Sequence, residues 1–222
     1  MADISVEQFV STSQDPPVRG FLHRPDAPNH QGLVLTHGAG GNAKMSLLVA
    51  LGETFAAAGY TVLRIDLPFR QDKSFGPPRP TGAVRDRAGL RNAVSEMRKL
   101  VSGRVFLGGQ SYGGRQATML CAEDPKLADG LLLTSYPLHP PGKPNQLRVE
   151  HFPNLQVPAL FISGSKDPFG SIEELSSALK LIPAKTKFVP VEGVGHDLGF
   201  RGKSKSGDAI GEILEEFQSL FG

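Results

Sequence analysis

Five short stretches limit what this chain can fold into: "GLVLTH" (32–37), "YTVLRID" (60–66), "RVFLGG" (104–109), "GLLLTSY" (130–136) and "PALFISG" (158–164). Each is nearly continuous in Val, Leu, Ile and Phe. A strand with one wet face alternates apolar and polar residues, because successive side chains point to opposite sides. A run that is apolar throughout belongs to a strand buried on both faces, as in a parallel sheet covered by helices. A sixth run, "KFVPVEG" (187–193), contains Pro190. Proline has no N–H to give to a ladder, so this run belongs at a sheet edge.

Between the runs the apolar period becomes helical. Leu48, Leu51 and Phe55 share one face, and Gly59 follows as a stop. Leu90, Val94, Met97 and Val101 keep the same spacing, as do Ile172, Leu175, Leu179 and Ile182, and Ile210, Ile213, Leu214, Phe217 and Leu220. Strands alternating with helices predict an α/β fold, with a mostly parallel central sheet flanked by helices. Near the start, "SVEQFV" and "VRGFLHR" flank the turn-rich "STSQDPP" and predict an antiparallel hairpin. Residues 67–82, 137–155 and 201–207 read as loops, none long enough for a cap domain, so residues 1–222 are expected to form a single domain.

Composition narrows the function. Lys and Arg total 24 against 22 Asp and Glu, a net charge of +2, without the basic stripe of a nucleic-acid binder. The one cysteine, Cys121, excludes an internal disulfide and a cysteine metal cluster, and reads as a packed core residue. No His, Asp or Glu cluster has metal spacing, so no metal or other cofactor is expected. No apolar run approaches the ~18 residues of a membrane span. "MADISVEQFV" carries acidic residues where a signal peptide has lysines and an apolar block. The expectation is a cytoplasmic protein, monomer or homodimer, with no nucleic-acid or membrane partner.

The chemistry points to "LGGQSYGGRQ" (107–116), where Gly108, Gly109, Gly113 and Gly114 surround Ser111 between a strand and a helical segment, 112–123. Gly109 to Gly113 fits G-x-S-x-G, the nucleophile elbow, a strained turn that lifts a serine hydroxyl to the carboxyl end of the sheet. A side chain at 109 or 113 would collide with the neighbouring strand or helix. A lone serine is a poor nucleophile and needs a base. His196 follows the run 187–193, and Asp167 follows the run 158–164. Taken singly, Asp167 reads equally as a turn or cap residue, and His196 as a surface histidine. The order Ser, Asp, His, each on a loop after a strand, makes them a triad candidate.

With these residues in view, the chain resembles the α/β-hydrolase superfamily through "THGAGGNAKM", "GGQSYGGR", "SGSKDPFG" and "GVGHDL". Within it, the chain is similar to small, lid-poor members: dienelactone-hydrolase-like proteins, and the group found in a testis-expressed protein and a chromatin-complex subunit. Dienelactone hydrolases proper carry cysteine at the elbow, where this chain has Ser111. The resemblance implies an α/β-hydrolase fold and a serine hydrolase acting on small or medium carboxylic esters or thioesters. Acyl transfer and a non-catalytic binding module are the alternatives.

Ser111, Asp167 and His196 are thus the expected catalytic residues. The oxyanion hole is expected from the N–H groups of Tyr112, which follows the nucleophile, and of Ala39 in "HGAGG" (37–41), with Gly40 as the alternative to Ala39. His37 reads as orienting that loop and Asp66 as a structural hydrogen-bonding group. His23, His30, His139 and His151 read as exposed or capping. "HGAGGNAK" lacks the G-x-x-x-x-G-K-[ST] of a phosphate loop. Arg70, Lys73, Arg79, Arg85, Arg87 and Arg91 read as a solvated surface, and Arg115 as a structural ion pair, in preference to a site for an anionic ester.

Overall fold

In a computed structural model, which describes residues 4–200 and 207–222, all six apolar runs lie in one sheet. The strands are β1 (Ile4–Ser11), β2 (Val18–Pro25), β3 (Gly32–Thr36), β4 (Thr61–Ile65), β5 (Val105–Gln110), β6 (Leu131–Thr134), β7 (Ala159–Gly164) and β8 (Thr186–Val191). Their order across the sheet is β1-β2-β4-β3-β5-β6-β7-β8. β1 and β2 form the antiparallel hairpin, β2 runs antiparallel to β4, and the remaining pairs are parallel. Pro190 lies on the edge strand β8.

The continuous apolar runs are explained by two cores, one on each face. Leu107 in β5 lies opposite Val34 and Leu131, and all three join the core beneath the helices α3 (Ala83–Leu100), α4 (Tyr112–Glu123) and α5 (Ile172–Leu179). Phe106, the preceding residue, points the other way. It packs with Phe55 of α1 (Ser46–Ala57) and Phe217 of α6 (Gly207–Phe221), its ring meeting Phe217 edge-on at 4.8 Å. Each such side chain contributes about 1.5–3 kcal/mol on burial, so every position of a central strand stabilises the fold. Gly59, at φ 91°, ends the α1 segment in the left-handed conformation that glycine accepts without cost.

Residues 137–155 are irregular apart from a 3-10 turn at Phe152–Asn154, and among the described residues no cap domain is inserted over the carboxyl ends of the strands. Residues 67–82 differ from the expected loop. They contain the short helix α2 (Pro68–Asp72), with proline in its favoured first-turn position, and a 3-10 turn at Pro80–Gly82. Of the third expected loop, residues 201–206 lie outside the described residues. No helix among the described residues is long and apolar enough to cross a membrane.

Three histidines depart from expectation. His23 is fully buried, and its Nε2 accepts a 2.7 Å hydrogen bond from Arg64 Nε. Burial and the Arg64 charge lower its pKa to about 4. His139 is buried against the Pro140 carbonyl and Glu174. His151 is half-buried, 2.8 Å from Thr118 Oγ1. Only His30 is exposed. Cys121 is a core residue, and burial pushes its thiol up to about 12.

Candidate active site

Ser111 links β5 to α4 at φ 53° and ψ −117°, a conformation that costs a non-glycine residue about 1–3 kcal/mol. Its N–H donates to the Thr134 carbonyl at 2.9 Å, and its carbonyl accepts from Arg115 N–H at 2.9 Å. The flanking glycines permit the turn because backbone meets backbone there. A Cβ at Gly109 would lie 2.6 Å from Gly114 N, and one at Gly113 would lie 2.5 Å from the His37 carbonyl oxygen.

The three candidate residues are joined by hydrogen bonds. Ser111 Oγ lies 2.7 Å from His196 Nε2, and His196 Nδ1 lies 2.8 Å from Asp167 Oδ2. They come from loops after β5, β8 and β7, with Ser111 85 residues and Asp167 29 residues from His196 in sequence. Asp167 is buried and its Oδ1 also accepts from Phe169 N–H at 2.9 Å, which fixes the carboxylate plane. The Phe169 ring lies 4.2 Å from the His196 ring and holds its other side. The two loops are sewn together by Lys166 N–H donating to the Val194 carbonyl and Ser165 N–H to the Val191 carbonyl, both at 2.9 Å.

Two residues not singled out from the sequence complete this support. Gln110, the variable position of the elbow, is buried and donates to the His196 carbonyl at 3.1 Å, tying the serine turn to the histidine loop. Gly164 allows that loop to approach, since a Cβ there would lie 2.3 Å from the Val194 carbonyl oxygen. Glycine at the end of the β7 run was the available signal for such an approach.

Ala39, Ser111 and Tyr112 line one cleft of about 440 Å³. Gly40 instead lines a separate depression with Asp197 and Phe200. Neither the Ala39 nor the Tyr112 N–H has a hydrogen-bond partner among the described residues. His37 orients the loop: its Nδ1 meets the Gly38 carbonyl at 2.8 Å, and its Nε2 accepts from Leu67 N–H at 3.1 Å, so the proton sits on Nδ1. Burial lowers its pKa, favouring that neutral form. Asp66 accepts from Ala43 N–H at 2.7 Å. Tyr112 is anchored by its hydroxyl, which donates to Asp86 Oδ2 at 2.7 Å.

Arg70 corrects the reading of the basic stretch as solvated surface. It is buried on α2 and donates to the carbonyls of Ala39 (2.9 Å), Gly41 (2.7 Å), Lys73 (3.1 Å) and Gly76 (2.9 Å). It therefore holds the Ala39 loop at two carbonyls and ties it to the segment that follows α2. Arg115 makes no ion pair among the described residues, and its Nε is buried without a hydrogen-bond partner. Among the described residues no group of three or more His, Cys, Asp or Glu side chains could hold a metal ion.

The model of a family described as an alpha/beta hydrolase domain matches residues 29–219. Similar folds occur in solved structures. An alpha-beta serine hydrolase homologue from Coxiella burnetii superposes with a TM-score of 0.76 at 16% identity, covering 95% of this chain and 96% of its own. A dienelactone hydrolase from Anabaena variabilis gives 0.76 at 19% identity, with 99% of both chains covered. A serine hydrolase without a lid from Xanthomonas campestris gives 0.75 at 16% identity, covering 98% of this chain and 95% of its own.

Proposed function

The chain belongs to the alpha/beta hydrolase family, and from that premise we propose that it is a serine hydrolase cleaving small or medium carboxylic esters or thioesters through an acyl-serine intermediate. The observation that carries this reading is the unbroken line Ser111 Oγ, His196 Nε2, His196 Nδ1, Asp167 Oδ2, at 2.7 Å and 2.8 Å. A serine held only for structure needs neither a strained backbone nor an imidazole oriented by a buried carboxylate.

In the mechanism Ser111 Oγ attacks the carbonyl carbon and its proton passes to His196 Nε2. Asp167 holds the imidazole with its proton on Nδ1 and stabilises the imidazolium. The carbonyl oxygen, now negative, accepts from the N–H groups of Ala39 and Tyr112; removing one such donor costs about 3 kcal/mol in other enzymes. The alcohol or thiol leaves with the proton from His196. Water then attacks the acyl group and gives a proton to His196, which passes it to Ser111 Oγ as the acid leaves, restoring free Ser111 and the neutral imidazole. No cofactor takes part, and the partner is a small-molecule ester.

A fluorophosphonate probe tests this reading, because it reacts covalently with activated serines. The protein should be labelled on Ser111, and Ser111→Ala should lose both the label and about a million-fold in kcat on an activated ester. Labelling retained at another residue would overturn the assignment.

A further inference from the structure

We infer that the cleft beside Ser111 is built for an acyl group ending in a carboxylate, so that the hydrolase takes half-esters of short dicarboxylic acids; this rests on Ser111 being the nucleophile. Arg115 and Arg148 both line the cleft with Ser111, and no Asp or Glu does. Arg115 Nε is buried and unpartnered. Arg148 makes one long hydrogen bond, from Nη1 to the Pro137 carbonyl at 3.3 Å. Several arginines elsewhere do have carboxylate partners: Arg87 meets Glu123, Arg91 meets Asp124 and Arg98 meets Asp129.

The two guanidinium groups therefore face one cleft without a counter-charge in its lining. Burial, and then the Arg115 charge, lowers the pKa of Arg148, which marks the repulsion between them. Other charges nearby offset the pair only in part, Glu150 acting on Arg148 from outside the cleft lining. Arg79 adds a third cation to the lining, Arg87 is already bonded to Gln116 and Glu123, and Glu150 is exposed. His151 is held neutral near pH 7, its pKa lowered to about 4 by burial and then by Arg115. A carboxylate relieves the repulsion and matches the planar donor fork of arginine.

Geometry assigns the anion to the acyl side and sets its reach. The leaving oxygen must take its proton from His196, which reaches Ser111 Oγ at 2.7 Å from the loop after β8, whereas Arg115 and Arg148 lie in the cleft with Ala39 and Tyr112. Arg115 follows Ser111 by four residues, its N–H bonded to the Ser111 carbonyl, so its side chain starts within one turn of α4 from the nucleophile and shares the cleft of about 440 Å³ with it. The carboxylate thus sits a few bonds from the reacting carbonyl, as in succinate or glutarate. Half-ester and water give the dicarboxylate and the alcohol, with no other reactant.

The test compares monomethyl glutarate with methyl 5-methylhexanoate, which replaces the carboxylate by an isopropyl group of similar shape. The parent protein should favour the half-ester by about tenfold or more in kcat/KM, the scale of one charge-assisted contact. The ratio should fall toward one in Arg115→Gln and in Arg148→Gln. A merely structural arginine would slow both esters together and leave the ratio unmoved. In the parent itself the ratio should shrink as sodium chloride screens the pair. A parent ratio near one, a ratio unmoved in both variants, or a ratio indifferent to salt overturns the anion subsite. If fluorophosphonate still labels Ser111, the nucleophile reading survives that result. No labelling and no hydrolysis of either ester overturns both.

Discussion

At the scale of the residue, the site depends on backbone approaches that tolerate no side chain. Ser111 adopts its strained conformation because α4 rests on Gly109 and the end of β3 rests on Gly113. A methyl group at 113 would meet the His37 carbonyl and Thr36 Cγ2, both at 2.5 Å. Gly113→Ala should therefore cost about 1–3 kcal/mol, read as a lower urea midpoint at unchanged slope. An unchanged midpoint would contradict the close approach. Asp167→Asn should leave the circular dichroism spectrum intact, since Oδ1 can still accept from Phe169 N–H. It should nevertheless lower kcat about 10⁴-fold, because the amide favours the wrong histidine tautomer. Ser111, Asp167 and His196 were legible in the sequence because each lies just beyond an apolar run, at a sheet's binding end. Arg70 was not. Its partners Ala39 and Gly41 are carbonyls about 30 residues away, and no side-chain pattern records a contact with backbone. Gln110 was hidden for the same reason, since its partner is the His196 carbonyl.

At the scale of the element, α2 and the 137–155 segment shape the cleft. Five residues are too few to display a helical period, so Pro68–Asp72 stayed concealed in a proline-rich stretch. Yet α2 carries Arg70, which fixes the loop bearing the Ala39 N–H. Arg70→Gln should loosen that loop and lower kcat about 10–100-fold, somewhat less than losing an oxyanion donor outright, with a smaller change in KM. A change confined to KM would separate Arg70 from the oxyanion loop. The segment 137–155 was legible as irregular, because Pro137, Pro140, Pro141, Pro144 and Pro153 leave no room for a helix. Such a segment rims a cleft without enclosing a long chain. Enclosure contributes about 0.8 kcal/mol per buried methylene, so kcat/KM across p-nitrophenyl esters should level off after roughly six carbons at most. A steady rise to palmitate would mean an enclosed site.

At the scale of the whole molecule, the sheet and its two cores were legible because runs apolar at every position admit few other arrangements. The buried polar groups were not. His23 reads like any strand-end histidine, and only the folded sheet sets it against Arg64. The pKa values of His23 and His151 are both lowered from 6.5 to about 4. Below 6.5 the unfolded chain binds more protons than the folded one, so the stability these two neutral rings confer is lost as pH falls from 6.5 toward 4. The melting temperature should fall between pH 7 and pH 4.5, and His23→Gln should blunt that fall. An equally steep fall in the variant would remove His23 from the account. The central claim concerns chemistry, and quenched-flow mass spectrometry with p-nitrophenyl butyrate tests it most directly. A burst of nitrophenol should accompany a butyryl group on the peptide containing Ser111, and both should vanish in Ser111→Ala. Turnover with no acyl group on Ser111 at any time point, or with the group on another residue, would contradict it.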